Sequence, residues 1–402
     1  MGTGINANIL YNFPYFGQWL RVCSYIMFAI AFIFFIVLTF FTVVSIFIHP
    51  QKWTTFHRDT AVAPFMGTFV MGYITLVNML FNFTGKDFII GVWVFWWISV
   101  FLSLYTAFVV FFTGMISKNK SRPLLPAANL HATLLLPIVT LTVAASSGSI
   151  MTPDLPSNNT KIITMLVCYL MWCIAIFLAT VIITIHYWKL FVYKIPPTNV
   201  VFTSFLPVGV MGQGAYGIML LGVNVHKLFT ENPELALLLD NLLASSSSSL
   251  QLQMASIIGN IFIYGCAMIS LFLIAFGYFS TFVAVVSCLT KIKPFTKEPN
   301  PQFTYNGNLQ HPVKRYFVGL IPFSKNFWAM TFPLGTMALS NSQLHRVFNH
   351  LKAFRVVGTA YAVALIIIVL VCLAGCVYSA AKDICYVIRG EKKQSNDIST
   401  KV

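Results

Sequence analysis

Uncharged hydrogen-bonding side chains recur within the short apolar segments of this 402-residue chain. They are Thr68, Thr75, Asn78, Thr140, Thr142, Ser146, Ser147, Gln213, Thr336, Ser340 and Asn341. Such groups donate hydrogen bonds without carrying a net charge. Within a membrane they can therefore solvate an anion that must also be released. We expect an anion path whose lining includes Thr68, Asn78, Thr142, Ser146, Gln213 and Thr336.

Glycine or proline interrupts each of these short segments. A broken membrane helix exposes backbone groups, which is tolerated only where they line protein or a water-filled cavity. Proline also removes a backbone N–H and kinks a helix. We predict kinks at Pro137, Pro207, Pro333, Gly67, Gly212 and Gly335. Close helix packing is the alternative explanation for any single glycine, whereas recurrence in five segments favours a pore.

The elements that must position these residues are membrane helices. The chain is 58% hydrophobic and only 9% charged, with a mean hydropathy of +0.80. Long uncharged runs, each sufficient to cross a bilayer, lie at 22–48, 88–116, 162–185, 257–289 and 356–381. Shorter runs alternate with them at 1–13, 61–85, 123–153, 195–225 and 326–344. The pattern predicts an all-α polytopic membrane protein in which long outer helices surround short, broken inner ones.

The first short segment differs from the others in length. Residues 1–13 would extend only about 20 Å as a helix, which is too short to cross a bilayer alone. Either this helix is natively short or the sequence begins inside it, and we favour a truncated first helix. The remainder predicts a single transmembrane domain over residues 1–389, followed by a tail over residues 390–402.

The formal net charge of +15 indicates the orientation of the chain. Most of the 25 basic residues follow the long segments, so the positive-inside bias places those helix ends and the C-terminus in the cytoplasm. Cytoplasmic-leaflet lipid headgroups are then the expected partners of this charge, rather than nucleic acid. Arg21 and Arg355 begin long helices at the outer face, where they either attract anions or anchor helix ends. Asn82 and Asn158 begin external Asn-X-Thr sequons and are candidate glycosylation sites.

Several classes of chemistry lack their required residues. The sequence contains no phosphate-binding G-x-x-x-x-G-K-[ST] loop, and its eight cysteines and eight histidines are scattered, without metal-ligand spacing. No charged residue lies in the middle of a predicted span, which disfavours a cation carrier. We expect no enzyme activity, no metal and no cofactor.

Several motifs of this chain also resemble one family of transporters. They are Asn8-Ile9-Leu10-Tyr11, Trp19-Leu20-Arg21-Val22, Lys194-Ile195-Pro196-Pro197, Met211-Gly212-Gln213-Gly214, Thr331-Phe332-Pro333-Leu334-Gly335-Thr336 and Ala353-Phe354-Arg355-Val356. They resemble fungal sulfite exporters of the tellurite-resistance and dicarboxylate transporter family, which also holds fungal malate carriers and plant slow anion channels. The resemblance extends from residue 1 to about residue 380.

This resemblance implies ten transmembrane helices in five hairpins, with the odd-numbered helices lining a pore in each subunit of a homotrimer. It also implies that Phe332 blocks the pore, although packing is the alternative role for this side chain. The expected function is export of sulfite or bisulfite across the plasma membrane for detoxification. A malate transporter or an anion channel of the same family is the alternative, and a non-transporting membrane receptor is a more distant one.

Overall fold

The structure is a computed structural model that describes residues 1–116, 131–197, 200–233, 248–291, 323–348 and 351–399. Every regular element within these ranges is helical. Eight of the described helical segments are long and apolar enough to span a membrane. The expectation of an all-α polytopic membrane protein is therefore confirmed.

Five helices form the inner group of the structure. They are α1 (Gly2–Tyr11), α4 (Met66–Thr84), α6 (Leu136–Met151), α8 (Leu206–Glu231) and α10 (Thr331–Val347). Helices α6 and α8 are buried over almost their whole length. A helix that is apolar on all sides is stable only when other helices or lipid surround it, and here the other helices do so.

Five helices form the outer group. They are α2 (Gln18–Ile48), α5 (Ile89–Leu104), α7 (Asn158–Tyr193), α9 (Ser248–Leu289) and α11 (Lys352–Ser399). Two π-helical turns, Tyr105–Val110 and Phe112–Ile116, extend α5, and the short helix α3 (Gln51–Arg58) follows α2. Each outer helix packs against the inner helix that precedes it. Exposed phenylalanines on the outer helices, including Phe101, Phe177 and Phe272, present an apolar surface to lipid.

The predicted alternation of short and long segments agrees with these ten helices. Helices α1 and α10 are not among the eight segments that satisfy the length and hydropathy requirements for a span, so ten crossings remain a prediction. Helix α11 continues through the predicted domain boundary at residue 390 to Ser399. Residues 400–402 of the predicted tail lie outside the described residues.

The prolines of the inner helices lie where a 3₁₀-helical segment continues into the α-helix. Pro137 and Pro207 are the second residues of α6 and α8, and Pro333 is the third residue of α10. A short 3₁₀-helical segment precedes each: Ala132–Leu135, Val201–Phe205 and Lys325–Met330. Proline is tolerated in the first turn because its missing N–H would have no intrahelical partner there. Bending of the helix axis at these three prolines stays a prediction.

The glycines for which kinks were also predicted lie instead at contacts between neighbouring inner helices. A methyl group at Gly212 of α8 would lie 2.7 Å from Thr336 Oγ1 of α10, and one at Gly335 of α10 would lie 2.6 Å from Ile5 Cδ1 of α1. At Gly67 of α4 the added carbon would collide with the Leu136 carbonyl oxygen of α6. These three glycines therefore allow close packing, the alternative that the sequence left open.

The inner helices close into a ring. Helix α1 packs against α4, α4 against α6, α6 against α8, α8 against α10, and α10 again against α1. Glycine occupies the remaining two contacts as well: Gly4 of α1 lies against the Thr75 side chain, and Gly217 of α8 lies against Ser146. Because these glycines bring neighbouring helices into close contact, space remains along the axis of the ring only where side chains are short.

Candidate functional site

Two cavities lie at opposite ends of the inner ring. The first, about 580 Å³ in volume, lies at the N-terminal ends of the inner helices and is here called the N-terminal cavity. The second, about 270 Å³, lies toward their C-terminal ends and is called the C-terminal cavity. Helix α2 also contributes aromatic side chains, among them Phe34 and Phe35, to the N-terminal cavity. All five inner helices contribute to both.

The C-terminal cavity is lined in one repeated register. Each inner helix contributes residues at positions i, i+3 and i+7, which share one face of an α-helix. The first positions are Ile5, Thr75, Val143, Gln213 and Leu339. The second positions are Asn8, Asn78, Ser146, Tyr216 and Ser342. The third positions are Asn12, Asn82, Ile150, Leu220 and Arg346.

The second position of this register is polar and uncharged in all five helices. Two of these side chains accept hydrogen bonds from a neighbouring inner helix: Ser146 Oγ accepts from Gln213 Nε2, and Asn78 Oδ1 accepts from Ser147 Oγ at 2.5 Å. Ser147 occupies one lone pair of Asn78 Oδ1, and the Asn78 amide has two hydrogens to donate. Gln213 likewise has a second amide hydrogen to donate. The cavity therefore offers hydrogen-bond donors, which suits a negatively charged guest.

Phe332 lies where the two cavities approach each other. Its side chain lines the C-terminal cavity and is only 4% exposed, while its neighbour Thr331 lines the N-terminal cavity. Gly209 of α8 lies beside the phenyl ring of Phe332, since a methyl group at Gly209 would lie 3.6 Å from Phe332 Cδ1. The phenyl group thus lines the C-terminal cavity one residue away from a side chain of the N-terminal cavity.

The predicted lining residues divide into three groups. Asn78, Ser146 and Gln213 line the C-terminal cavity, and Thr68 lines the N-terminal cavity. Thr142 and Thr336 are fully buried and line neither of these two cavities. Their hydroxyls donate to the carbonyl oxygens of Val139 and Pro333, three residues earlier in the same helix, at 2.8 Å in both cases.

Each inner helix, or the 3₁₀-helical segment before it, contributes threonine to the N-terminal cavity. These residues are Thr3, Thr68, Thr75, Thr133, Thr203 and Thr331. Lys325, at the start of the 3₁₀-helical segment before α10, lines the same cavity. The N-terminal ends of five helices meet here, and helix dipoles place partial positive charge at such ends. The electrostatic character of this cavity is therefore favourable to anions.

The arginine at the C-terminal cavity is one that the sequence analysis did not select. Arg346 is the one charged side chain among the described residues that line this cavity. Arg21 instead lies over the Tyr11 and Phe16 rings, 5.4 and 5.0 Å from their centroids. Arg355 lies 3.8 Å from the Tyr15 ring centroid.

Arg355 also donates from Nη2 to the Pro14 carbonyl oxygen at 2.9 Å. The structure therefore favours the anchoring alternative for Arg21 and Arg355. The seven-residue spacing from Phe332 through Leu339 to Arg346 could have identified Arg346 as a member of the same helix face.

The two candidate glycosylation sites occupy different positions. Asn82 lies within α4 and lines the C-terminal cavity. Its Nδ2, the atom that would carry a glycan, donates to Asn8 Oδ1 at 3.3 Å. Asn158 is the first residue of α7, and its Nδ2 donates to Asn232 Oδ1 at 2.9 Å. Modification at either nitrogen would have to break the hydrogen bond observed there.

The described residues contain no group of three or more His, Cys, Asp and Glu side chains that could hold a metal ion. The side chains that line the two cavities are instead suited to transient solvation of an ion. No nucleophile and general base are placed together at either cavity.

Comparison with known proteins gives one consistent result. A family model described as "SLAC1: Voltage-dependent anion channel" matches residues 1–377. The chain is 38% identical over 400 residues to the sulfite efflux pump SSU1 of Candida albicans, covering 99% of this chain and 76% of that protein. It is 32% identical to the sulfite efflux pump SSU1 of Saccharomyces cerevisiae, covering 97% and 87%. For the protein of the same name in Arthroderma benhamiae the identity is 29%, covering 90% and 84%.

Proposed function

The chain belongs to the SLAC1 voltage-dependent anion channel family, and we propose that it exports sulfite anions through the ring of its five inner helices. The observation that carries this proposal is the repeated register of the C-terminal cavity, in which every inner helix contributes a neutral polar side chain at its second position. The names of the relatives, which are sulfite efflux pumps, support sulfite as the substrate.

The lining chemistry supports conduction of an anion. Neutral donors such as the Asn78 and Gln213 amides replace part of the hydration shell of an anion. The anion also dissociates more easily from such donors than from a fixed positive charge. Transport of this kind breaks no covalent bond. We therefore propose a transporter or channel and assign no catalytic step to the chain.

The membrane potential can supply the driving force. A potential that is negative inside moves a monovalent anion outward with about 2.3 kcal/mol per 100 mV. Bisulfite carries one negative charge, so passive or loosely coupled conduction removes it from the cell. A dedicated proton site is not needed for this direction of transport.

The orientation of the pore follows from the distribution of basic residues. We place the N-terminal cavity on the cytoplasmic side of the plasma membrane and the C-terminal cavity on the outside. The cytoplasmic cavity then has the helix N-termini and Lys325, which attract an anion before its export. In the same proposal the C-terminus is cytoplasmic, and three chains associate as a trimer with one pore in each.

Phe332 is the proposed gate. Its phenyl group lines the C-terminal cavity and its neighbour Thr331 lines the N-terminal one, which supports a gate in which rotation of the phenyl group connects the two cavities. Neighbouring Thr331 and Thr336 remain fixed, because their hydroxyls bond to backbone carbonyls within their own helical turns.

Export of a dicarboxylate such as malate is a second candidate, and Arg346 is the observation that favours it. A guanidinium group binds a carboxylate with two parallel hydrogen bonds. A dicarboxylate carries two such groups, however, and the described lining of the C-terminal cavity includes only this one cation. One clamp without a second favours a smaller anion.

Efflux measurements test the proposal directly. The chain is expressed in cells that lack their own sulfite exporter, and release of sulfite and of malate is recorded in parallel. We expect sulfite release without malate release. Malate release alone would establish the second candidate, and release of neither from cells with the protein at their surface would favour a non-transporting receptor.

A further inference from the structure

Three basic side chains cluster outside the lining of both cavities. Lys189 and His186 lie one turn apart near the C-terminal end of α7, and each is only 7% exposed. His131, immediately before the segment Ala132–Leu135, faces them. Its Nδ1 lies 3.2 Å from Lys189 Nζ. This cluster, His131, His186 and Lys189, is called the basic cluster below.

The hydrogen bonds of the basic cluster are incomplete. Lys189 can only donate, so its contact requires a neutral His131 whose Nδ1 accepts, and two further ammonium hydrogens remain. His186 Nδ1 is buried without a hydrogen-bond partner. Burial, and then the positive charge of Lys189, lower the pKa of His131. The cluster thus has donors and one unsatisfied nitrogen in a position shielded from water.

Among the residues that the structure describes, Lys189 also lacks a counter-charge. The ion pairs recorded between described residues join Lys86 to Asp154, and Lys161 and Lys227 to Glu231; none includes Lys189. An ammonium group removed from water without a compensating charge is unfavourable. Binding of an anion would supply both the charge and the missing hydrogen-bond acceptors.

We propose that the basic cluster binds an oxyanion of the sulfite or phosphate class, at a site separate from the pore. Oxyanions match the cluster because several oxygens can accept at once from Lys189 Nζ and from the Nδ1–H tautomer of neutral His186. The basic cluster lies between α9 and the segment that precedes α6. Tyr187 OH bonds to Ser280 Oγ of α9 at 2.9 Å, and His131 begins the segment whose Thr133 lines the N-terminal cavity.

This position allows two sources for the oxyanion. In the orientation proposed above, the cluster lies on the cytoplasmic side, beside the entrance to the pore. Sulfite bound at the basic cluster would be held next to the N-terminal cavity before transport, whereas phosphate would bind without being transported. Only the choice of sulfite as one source rests on the proposed function.

Thermal unfolding of the purified full chain tests the site. The midpoint is measured in detergent with sodium chloride, sodium sulfite or sodium phosphate at equal ionic strength. We expect sulfite, phosphate or both to raise the midpoint above its value in chloride. Lys189→Met is expected to abolish the rise, and Lys194→Met, which removes an exposed lysine five residues later, is expected to retain it.

Two further measurements distinguish loss of the oxyanion site from misfolding of the Lys189→Met variant. In chloride, Lys189→Met should unfold at or above the parent midpoint, because the variant no longer buries an unpaired charge. His131→Ala, which lies outside the membrane helices, should weaken oxyanion binding at least several-fold by titration calorimetry. No rise with either oxyanion, or an equal rise in the parent and in Lys189→Met, would overturn the site.

The unfolding test of the basic cluster can fail independently of the efflux test of sulfite export. A Lys189-dependent rise with phosphate in a chain that exports no sulfite would support the site and contradict sulfite export. Sulfite export with no effect of either oxyanion on unfolding would support sulfite export and contradict the oxyanion site.

Discussion

Removal of the positive charge at Arg346 should weaken anion capture at the C-terminal cavity without changing the gate. The variant is Arg346→Gln, which retains a hydrogen-bonding side chain of similar reach. Arg346 is exposed at the end of α10 and lines the cavity, so its charge acts mainly on ions in the mouth. In the proposed orientation, this lowers the apparent affinity for external sulfite and reduces inward sulfite movement.

The size of this effect follows from the position of the side chain. An anion about 6 Å from the guanidinium, at an effective dielectric constant of about 60 for the exposed rim, gains roughly 0.9 kcal/mol. Since about 1.4 kcal/mol corresponds to a tenfold change in affinity, a roughly fivefold loss is expected. Phe332 lies fourteen residues away, or about 21 Å along the helix. That distance exceeds the Debye length of about 8 Å at physiological salt, so the gate is unaffected.

The assay is current across membranes that contain the reconstituted protein, recorded with sulfite on one side at a time. Arg355→Gln is the matched control, because Arg355 contacts Tyr15 and Pro14 and is absent from the cavity lining. The fivefold loss should appear only with sulfite on the C-terminal-cavity side and should shrink at high salt. An equal loss in both variants, or none in Arg346→Gln, would refute the assignment of Arg346 to the anion path. Arg346 would then serve only to complement the helix dipole, as basic residues in a last turn do.

Three other substitutions test the ring, its lining and its gate. Phe332→Ala should raise anion flux at matched surface abundance, measured as sulfite efflux, because it opens the passage between the cavities; unchanged flux would assign Phe332 to packing alone. Gln213→Leu deletes a donor and should lower the preference for sulfite over chloride in reversal-potential measurements, while an unchanged preference would return Gln213 to a structural role. Gly212→Ala should lower the thermal midpoint through overpacking worth about 1–3 kcal/mol, whereas Gly265→Ala, with no atom within 4 Å of the added carbon, should not; equal midpoints would argue against close packing of α8 on α10.

The sequence predicted the membrane helices well because hydrophobic length is a local property. The predicted run 22–48 corresponds to α2 (Gln18–Ile48), and the run 257–289 to the apolar part of α9 (Ser248–Leu289). Composition also indicated which helices are inner. It did not show how prolines are used, since a proline within a continuous apolar run can either kink a helix or follow a 3₁₀-helical start.

The lining of the pore was only partly predictable. Helix α6 is buried on all sides and has hydroxyl side chains on several faces, so hydropathy does not define which face points inward, and Thr142 was therefore selected alongside Ser146. Arg346 was missed because the predicted segment ended at residue 344, where polarity rises, whereas α10 continues to Val347. Aligning the five short segments with one another would have supplied the shared i, i+3, i+7 register. The distance between helices depends on contacts remote in sequence, such as Gly335 with Ile5.

The glycine contacts around the inner ring also have a thermal consequence. Helices that already touch through backbone and short side chains cannot move closer, and separating them would open voids that dense packing disfavours. In the gate proposed above, opening is thereby left to the Phe332 side chain, whose motion involves two torsions rather than the displacement of a helix. Side-chain rotation crosses far smaller barriers than collective helix motion. The rate of sulfite conduction should accordingly rise only gently on warming, closer to the behaviour of ions diffusing in water than to that of a carrier that rearranges in every cycle.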